Sequence, residues 1–209
     1  MRVANLPSVV NAPASARVYT GAAHTFSITV GGGIAPLSYQ WYKDGAQLDG
    51  ATAADYTLSA VALEDAGAYT CVATDDLDAE VESVPAQLEV AAPLSIVAHP
   101  EDRTAYVNET ARFEVQAEGG FAPHRYQWRK DGADVPGATE AVYEAVGVLP
   151  ADAGAYTCVV EDDLGAQAIS EAAVLEVAER LDIVDQPQDA DRYIGESHTF
   201  VVDVRGGHG

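Results

Sequence analysis

Histidine side chains are the first residues of this sequence that could carry out chemistry. The five histidines, His24, His99, His124, His198 and His208, are scattered over the 209 residues. None lies in a His-Glu-x-x-His metal motif, and the sequence has no Gly-x-Ser-x-Gly nucleophile elbow and no phosphate-binding glycine loop. We therefore predict that the chain is not an enzyme and has no catalytic, cofactor-binding or metal-binding residues.

Carboxylate side chains form the second chemical group, and they cluster in two places. One cluster is Asp75-Asp76-Leu77-Asp78 with Glu80, and the other is Glu161-Asp162-Asp163. Clustered hard oxygen ligands can hold calcium, but neither cluster has the Asp-x-Asp-x-Asp-Gly spacing of a calcium loop. We expect no cofactor, and a calcium site is the alternative.

Net charge and hydropathy limit the partners of the chain. It contains 11 Lys and Arg against 33 Asp and Glu, a formal net charge of -22, which repels phosphate backbones and anionic lipid. No run of 18 or more apolar residues could span a bilayer, and residues 1–13 lack the features of a signal peptide. We therefore expect a soluble chain with no nucleic-acid partner and no membrane insertion.

The sequence repeats itself with a period of 87 residues. Identical residue types recur at this spacing in the pairs Trp41 and Trp128, Cys71 and Cys158, Tyr69 and Tyr156, Pro13 and Pro100, and Phe26 and Phe113. A further step of 87 reaches Pro187, Tyr193 and Phe200. Because each period of such a repeat is one structural unit, we predict two complete units, residues 7–93 and 94–180, and the opening part of a third, residues 181–209.

Within each unit, apolar residues alternate with polar ones, which is typical of antiparallel strands with one buried face. In the last strand of the first unit, the side chains predicted to point into the core are those of Val84, Ala86, Leu88 and Val90. Lys43-Asp44-Gly45 predicts a tight hairpin turn, because Asp and Gly accept positive φ angles. About seven short strands in one period predict a two-sheet sandwich.

At these residues the sequence resembles the intermediate set of the immunoglobulin superfamily. Residues 39–45, Tyr-Gln-Trp-Tyr-Lys-Asp-Gly, are similar to the strand with the core tryptophan, and residues 65–71, Asp-Ala-Gly-Ala-Tyr-Thr-Cys, to the tyrosine corner. The second unit has the same motifs at residues 126–132 and 152–158. The resemblance implies an all-β fold of tandem immunoglobulin-like antiparallel β-sandwiches. It also implies that the hydroxyls of Tyr69 and Tyr156 bond to the backbone.

The sequence departs from the family at the cysteine of strand B, which in the family forms a disulfide with strand F. The equivalent positions hold Ile28, Val115 and Val202. No intradomain disulfide can form, so Cys71 and Cys158 are expected to be buried free thiols. The departure implies a likeness to the immunoglobulin-like arrays of bacterial secreted and surface proteins.

The resemblance also offers a structural role for the carboxylate clusters. Asp75 and Asp162, each four residues after a cysteine, resemble the residue that caps the turn between strands F and G. Asp78 and Gly165 then occupy the positive-φ position of that turn. This interpretation competes with the calcium site.

The absence of converging catalytic groups and the constant repeat length favour a non-enzymatic structural or adhesive repeat module. We expect it in an extracellular or cell-surface protein of a bacterium, in a stalk or fibre. The alternative is a carbohydrate- or protein-binding accessory domain of a large secreted enzyme. Expected partners are neighbouring copies of the chain, further repeats of the same chain, or a cell-surface glycan or protein.

The incomplete third unit predicts a route to assembly. Two strands cannot bury their apolar face alone, so residues 181–209 are expected to be ordered by a neighbour. Strand addition from another chain, around Phe200 and Val202, would give a non-covalent fibre. The other interpretation is that the sequence is a window on a longer polypeptide.

Overall fold

The structure is a computed structural model that describes residues 5–207, so His208 lies outside the described residues. The chain divides into two compact units, Met1–Pro93 and Leu94–Gly209. Strands dominate both units, and the only helical segments among the described residues are two 3-10 turns, Leu63–Asp65 and Pro150–Asp152. The predicted all-β fold class is confirmed.

Residues 5–93 of the first unit contain ten strands in two layers. The strands are β1 (Ser8–Asn11), β2 (Ala16–Tyr19), β3 (His24–Ser27), β4 (Thr29–Gly31), β5 (Ser38–Lys43), β6 (Ala46–Gln47), β7 (Asp55–Leu58), β8 (Gly67–Thr74), β9 (Glu80–Glu82) and β10 (Ala86–Ala91). The larger sheet has the order β2-β10-β8-β5-β6, with β9 also paired to β8. The ladders β1-β4 and β3-β7 form the opposing layer.

The second unit repeats this arrangement. Its strands are β11 (Ser95–Ala98), β12 (Arg103–Tyr106), β13 (Thr110–Glu114), β14 (Gln116–Glu118), β15 (Arg125–Lys130), β16 (Ala133–Asp134), β17 (Val142–Val146), β18 (Gly154–Glu161), β19 (Gln167–Ile169), β20 (Ala173–Asp185) and β21 (Asp203–Gly207). The larger sheet has the order β12-β20-β18-β15-β16, with β19 paired to β18 and β21 paired to β20. The ladders β11-β14 and β13-β17 form the opposing layer.

One strand pair in each unit runs parallel, which differs from the purely antiparallel expectation. β10 is parallel to β2, and β20 is parallel to β12. The chain passes from β1 in the smaller layer to β2 in the larger sheet through the buried Pro13. Because it keeps its direction across this short crossing, β2 reaches the sheet edge parallel to β10.

The core of each unit is built around its tryptophan. Trp41 and Cys71 lie opposite each other on β5 and β8, and both are fully buried. Phe26 stacks on Tyr69 with ring centroids 4.4 Å apart. The second core places Trp128, Cys158, Phe113 and Tyr156 in the same arrangement. The alternation seen in the sequence therefore identifies the buried face.

The hairpin predicted at Lys43-Asp44-Gly45 is confirmed. Asp44 and Gly45 have φ angles of 51° and 80°. Asp44 Oδ1 accepts a hydrogen bond from the Ala68 amide at 2.8 Å, which ties the hairpin to the start of β8. Gly67 is required here, because a Cβ at this position would lie 2.5 Å from Asp44 Oδ2.

The inward orientation predicted for Val84 is wrong, since its side chain is 65% exposed. The partner of β8 changes from β9 to β10 at residues 83–85. Ser83 bridges this change, because its amide donates to the Cys71 carbonyl at 2.9 Å and its Oγ accepts from the Cys71 amide at 3.1 Å. Val84 lies in the crossing between two strands, where strand alternation does not apply.

The ladder at the end of the described residues has the same register as the first ladder of each complete unit. Val9 pairs with Val30, Ile96 with Ala117 and Ile183 with Val204, and each ladder is interrupted immediately after this pair. β20 runs through residue 180 without a break. The division at residue 180 therefore stays a prediction, while residues 182–205 pair as strands A and B do in the complete units.

Candidate interaction surfaces

The four histidines within residues 5–207 belong to no metal-binding group. Each has a local contact: His24 packs edge-on against Phe26, His99 Nδ1 accepts from the Glu171 amide at 3.0 Å, His124 Nε2 lies 2.9 Å from the Gly119 carbonyl oxygen, and His198 Nδ1 lies 2.8 Å from Arg192 Nη2. Across residues 5–207, no group of three or more His, Cys, Asp or Glu side chains is placed to hold a metal ion. The predicted absence of catalytic and cofactor residues stays a prediction.

The carboxylates of Asp75 and Asp162 cap the turns that follow strands β8 and β18. Asp75 accepts from the amides of Ile34, Leu77 and Ala79 at 2.9–3.0 Å. Asp162 accepts equivalent bonds at 2.9–3.0 Å from Phe121, Leu164 and Ala166. Asp78 and Gly165 have the expected positive φ angles, 64° and 82°. The turn-capping prediction is confirmed, and the calcium alternative stays untested.

We predict that the first unit loses stability in acid through Asp75. The backbone amides of Ile34 and Ala79 lower the pKa of Asp75 below its ordinary value of 3.8. A folded-state pKa below the unfolded one contributes stability above the unfolded pKa, and this contribution is lost as pH falls through the folded value. As pH is lowered from about 5 to about 2, the melting temperature of the first unit should fall more steeply in the wild-type chain than in Asp75→Asn. Equal slopes would contradict this role.

The two thiols are buried and free, as the sequence predicts. Cys71 and Cys158 are both 0% exposed and form no disulfide. Burial raises the pKa of each thiol to about 11, although a backbone hydrogen bond opposes this rise. Because the thiolate is the reactive form, these cysteines are suited to packing beside the tryptophans.

We predict that neither cysteine reacts with iodoacetamide in the native protein at pH 8. Modification should require unfolding of the corresponding unit, because burial disfavours the thiolate and blocks access. Peptide mass spectrometry after alkylation, with and without denaturant, measures this directly. Rapid alkylation of the native chain would show that the core is open at these positions.

The tyrosine corners are present in both units. The Tyr69 hydroxyl donates to the Asp65 carbonyl, and the Tyr156 hydroxyl donates to the Asp152 carbonyl, each at 2.8 Å. Burial raises the pKa of Tyr156 to about 12, with smaller contributions from neighbouring groups. The polar groups that recur between the units therefore hold the fold together.

The outward faces of the larger sheets differ between the units. In the first unit, cross-strand pairing of β5, β8 and β9 brings together a surface that we call face 1: Ser38, Gln40, Tyr42, Thr70, Val72, Thr74, Glu80 and Glu82. In the second unit, β15, β18 and β19 bring together face 2: Arg125, Gln127, Arg129, Thr157, Val159, Glu161, Gln167 and Ile169. The two sets occupy equivalent positions, offset by 87 residues.

Face 2 combines basic and apolar side chains. Arg125 lies 3.4 Å from Glu161 and 3.7 Å from Asp163. Arg129 lies 2.7 Å from Asp134. On β19, at the other side of β18, Ile169 is 61% exposed and stands opposite the buried Val159. A shallow depression of about 230 Å³ follows the face.

Sequence reasoning missed this surface, although comparing residues 87 positions apart would have shown arginines at the positions of Ser38 and Tyr42.

Comparison with known families agrees with the geometry. The model of the family described as "Immunoglobulin domain" matches residues 7–75 and 94–162. The chain belongs to the immunoglobulin-domain family. The prediction of tandem immunoglobulin-like domains is therefore confirmed, and the larger and smaller layers are the two sheets of each immunoglobulin sandwich. No helix among residues 5–207 is long and apolar enough to cross a membrane.

Individual proteins similar to these immunoglobulin domains come from different kinds of organism. The human (Homo sapiens) "Roundabout homolog 1" is 32% identical over 181 residues, which cover 79% of this chain and 10% of that protein. The "Decoration protein" of Escherichia phage T5 is 43% identical over 70 residues, which cover 34% of this chain and 43% of that protein. The chain thus spans about a tenth of the Roundabout relative.

Solved structures support the immunoglobulin fold. The I-band fragment I67–I69 of titin matches with a TM-score of 0.74 and 24% identity, covering 98% of this chain and 77% of that chain. The four N-terminal immunoglobulin domains of Dscam1 isoform 6.9 match with a TM-score of 0.59 and 24% identity, covering 84% of this chain and 46% of that chain. At this identity the likeness concerns the fold.

Proposed function

We propose that the chain is a non-enzymatic structural or adhesive repeat module of a bacterial surface protein, located outside the cell in a stalk or fibre. The observation that carries this proposal is the contrast between the two immunoglobulin units. Their buried tryptophan, cysteine and tyrosine and their capping aspartate recur at 87-residue spacing, while faces 1 and 2 differ. A repeated scaffold with variable faces suits a protein that spans distance and makes contacts.

The use of the polar side chains supports a non-enzymatic role. Asp75 and Asp162 accept hydrogen bonds from the turn backbone, and the tyrosine hydroxyls donate to nearby carbonyl groups. Lys43 and Lys130 donate to carbonyl oxygens of the 3-10 segments. These contacts satisfy backbone groups within the fold, so the recurring polar residues have a structural explanation.

Strand addition at the end of the chain is the more specific part of the proposal. Phe200 and Val202 are 66% and 49% exposed, whereas the equivalent Phe26 and Ile28 are 1% and 4% exposed. The ladder between β20 and β21 already has the register of a complete unit. We propose that these apolar side chains pack against strands of an immunoglobulin-like sheet, which would join modules into a longer array.

A second candidate function is decoration of a large protein assembly. It is favoured by the 43% identity over 70 residues with the phage T5 protein named "Decoration protein". The accessory carbohydrate-binding alternative has less support, because Trp41 and Trp128 are fully buried and cannot form an exposed stacking platform for a sugar.

Labelling of intact cells or particles tests the proposed location. Antibodies raised against the purified chain should label the source without permeabilisation, and external protease should remove the signal. Labelling of intact virus particles instead of cells would favour the decoration function. Labelling that requires permeabilisation of the cells would refute an external structural or adhesive role.

A further inference from the structure

We infer that face 2 of one copy binds face 1 of a second copy, so that the chain associates with itself through two different surfaces. This inference rests on the proposed structural or adhesive function and names its partner. Such a heterologous contact joins the second unit of one chain to the first unit of another, and it can propagate along an array.

Charge is the first argument for this pairing. The eight positions of face 1 carry two glutamates and no basic residue, a net charge of -2, whereas those of face 2 carry two arginines and one glutamate, a net charge of +1. Residues 7–93 and 94–180 as wholes carry -9 (2 basic, 11 acidic) and -10 (6 basic, 16 acidic). Asp163 and Asp134, which pair with Arg125 and Arg129 at the edge of face 2, offset the charge of this face, so the positive charge of face 2 is local to the two guanidinium groups. Attraction to face 1 is local, while most other contacts between copies bring together like charges.

The state of the charged side chains is the second argument. Glu80 and Glu82 on β9 are exposed and form no ion pair with another described residue. The Arg125 side chain is 62% exposed, and its contacts with Glu161 and Asp163 at 3.4 and 3.7 Å are long for charged hydrogen bonds. Its guanidinium can therefore take up partner carboxylates without breaking a strong internal pair.

The apolar part of face 2 is the third argument. Ile169 stands in the same cross-strand row as Val159 and Gln127, and it occupies the position of Glu82 in the first unit. An exposed isoleucine on the same face as two arginines matches the composition of interface centres, where arginine and apolar groups are enriched and lysine is depleted. On face 1, Tyr42 and Val72 are half-buried and offer apolar surface to this side chain.

The size of the faces sets the expected affinity. Three strands about 4.8 Å apart and about six residues long form a face of roughly 14 by 20 Å. Two such faces would bury about 600 Å² in total, which lies in the range of weak and transient contacts. We therefore expect a weak contact, with Kd on the order of 100 µM, which repetition along an array would strengthen through avidity.

Sedimentation velocity of the full chain tests the inference. The average sedimentation coefficient should rise between about 10 µM and 1 mM protein. Association should weaken when salt is raised from about 0.1 M to 1 M, because the Debye length falls from about 10 Å to 3 Å. A chain that stays monomeric over this concentration range overturns the inference.

Variants taken from the other unit identify the faces. Arg125→Ser with Arg129→Tyr gives face 2 the residues found at the same positions of face 1, and it should raise Kd at least about tenfold. The matched control, Arg103→Ala with Arg112→Thr, removes the same two charges from elsewhere in the second unit and likewise installs the first-unit residues, Ala16 and Thr25. It should leave Kd unchanged. Equal weakening by both pairs would show that net charge, and not face 2, controls association.

A third variant tests face 1 with the opposite effect on net charge. Glu80→Gln with Glu82→Gln changes the charge of the chain from -22 to -20, which reduces general repulsion between copies. We nevertheless expect weaker association, because the carboxylates that meet Arg125 and Arg129 are removed. Stronger association would overturn the inference. Surface labelling of the source is independent of these results, so a monomeric chain would leave the proposed external structural role in place.

Discussion

Replacing Trp41 with alanine is expected to lower the free energy of unfolding of the first unit by about 3–5 kcal/mol. Trp41 is fully buried beside Cys71, and its Nε1 donates to the Ala53 carbonyl at 2.9 Å. No disulfide crosses this core to limit the unfolded state. The lost packing and the resulting cavity therefore lower the free energy of unfolding, and no disulfide offsets this loss.

The remaining tryptophan makes this experiment specific to one unit. In Trp41→Ala, fluorescence reports on Trp128 alone, while circular dichroism reports on the strands of both units. Urea unfolding should show an early dichroism transition with an unchanged fluorescence midpoint. Ser38→Ala, at an exposed position of the same strand, serves as the control and should leave both transitions in place. A wild-type dichroism curve for Trp41→Ala would contradict the central role of this tryptophan.

Replacing Asp162 with alanine is expected to destabilise the second unit by about 3 kcal/mol. Its side chain is 0% exposed and accepts three backbone hydrogen bonds, from Phe121, Leu164 and Ala166. Removal of the carboxylate leaves the buried Phe121 amide and the partly buried amides of Leu164 and Ala166 without their acceptor, and a buried unsatisfied donor costs about 1–3 kcal/mol. For a domain of this size the melting temperature should fall by at least about 12 °C.

The neighbouring residue provides the control for Asp162→Ala. Asp163→Asn removes the same charge from an exposed side chain and should change the melting temperature by no more than a few degrees, about what an exposed ion pair contributes. Calorimetry of both variants measures the difference. Similar melting temperatures for the two variants would mean that the turn does not depend on its buried carboxylate.

Features set by short stretches of chain could be predicted from the sequence. The hairpin at Asp44 and Gly45 follows from residue types that accept positive φ angles, whereas the corner at Tyr69 and the cap at Asp75 follow from the resemblance of short motifs to the immunoglobulin family. The repeat then supplied a second instance of each feature. The burial of Trp41 and Cys71 likewise follows from the resemblance, and the alternation of apolar and polar residues in their strands agrees with it.

Features that depend on pairing between distant strands could not be predicted in this way. Val84 was assigned to a strand face, but it lies where β8 exchanges one partner strand for another. Arg125, Arg129 and Ile169 form one surface only because β18 pairs with β15 on one side and with β19 on the other. The local sequence of these strands does not determine how β18 is aligned with β15 and β19. The two equivalent ladders, once aligned, show that the scaffold recurs while the exposed side chains change.

Nuclear magnetic resonance of the isotopically labelled full chain tests the central claim most directly, namely that a common scaffold carries two complementary faces. Spectra recorded over a series of protein concentrations show which backbone amides sense a second copy. We predict concentration-dependent shifts on β5, β8 and β9 of the first unit and on β15, β18 and β19 of the second. The Arg125→Ser and Arg129→Tyr substitutions should remove both sets of shifts together. Shifts confined to β13 and β17, or no shifts at any concentration, would contradict the account.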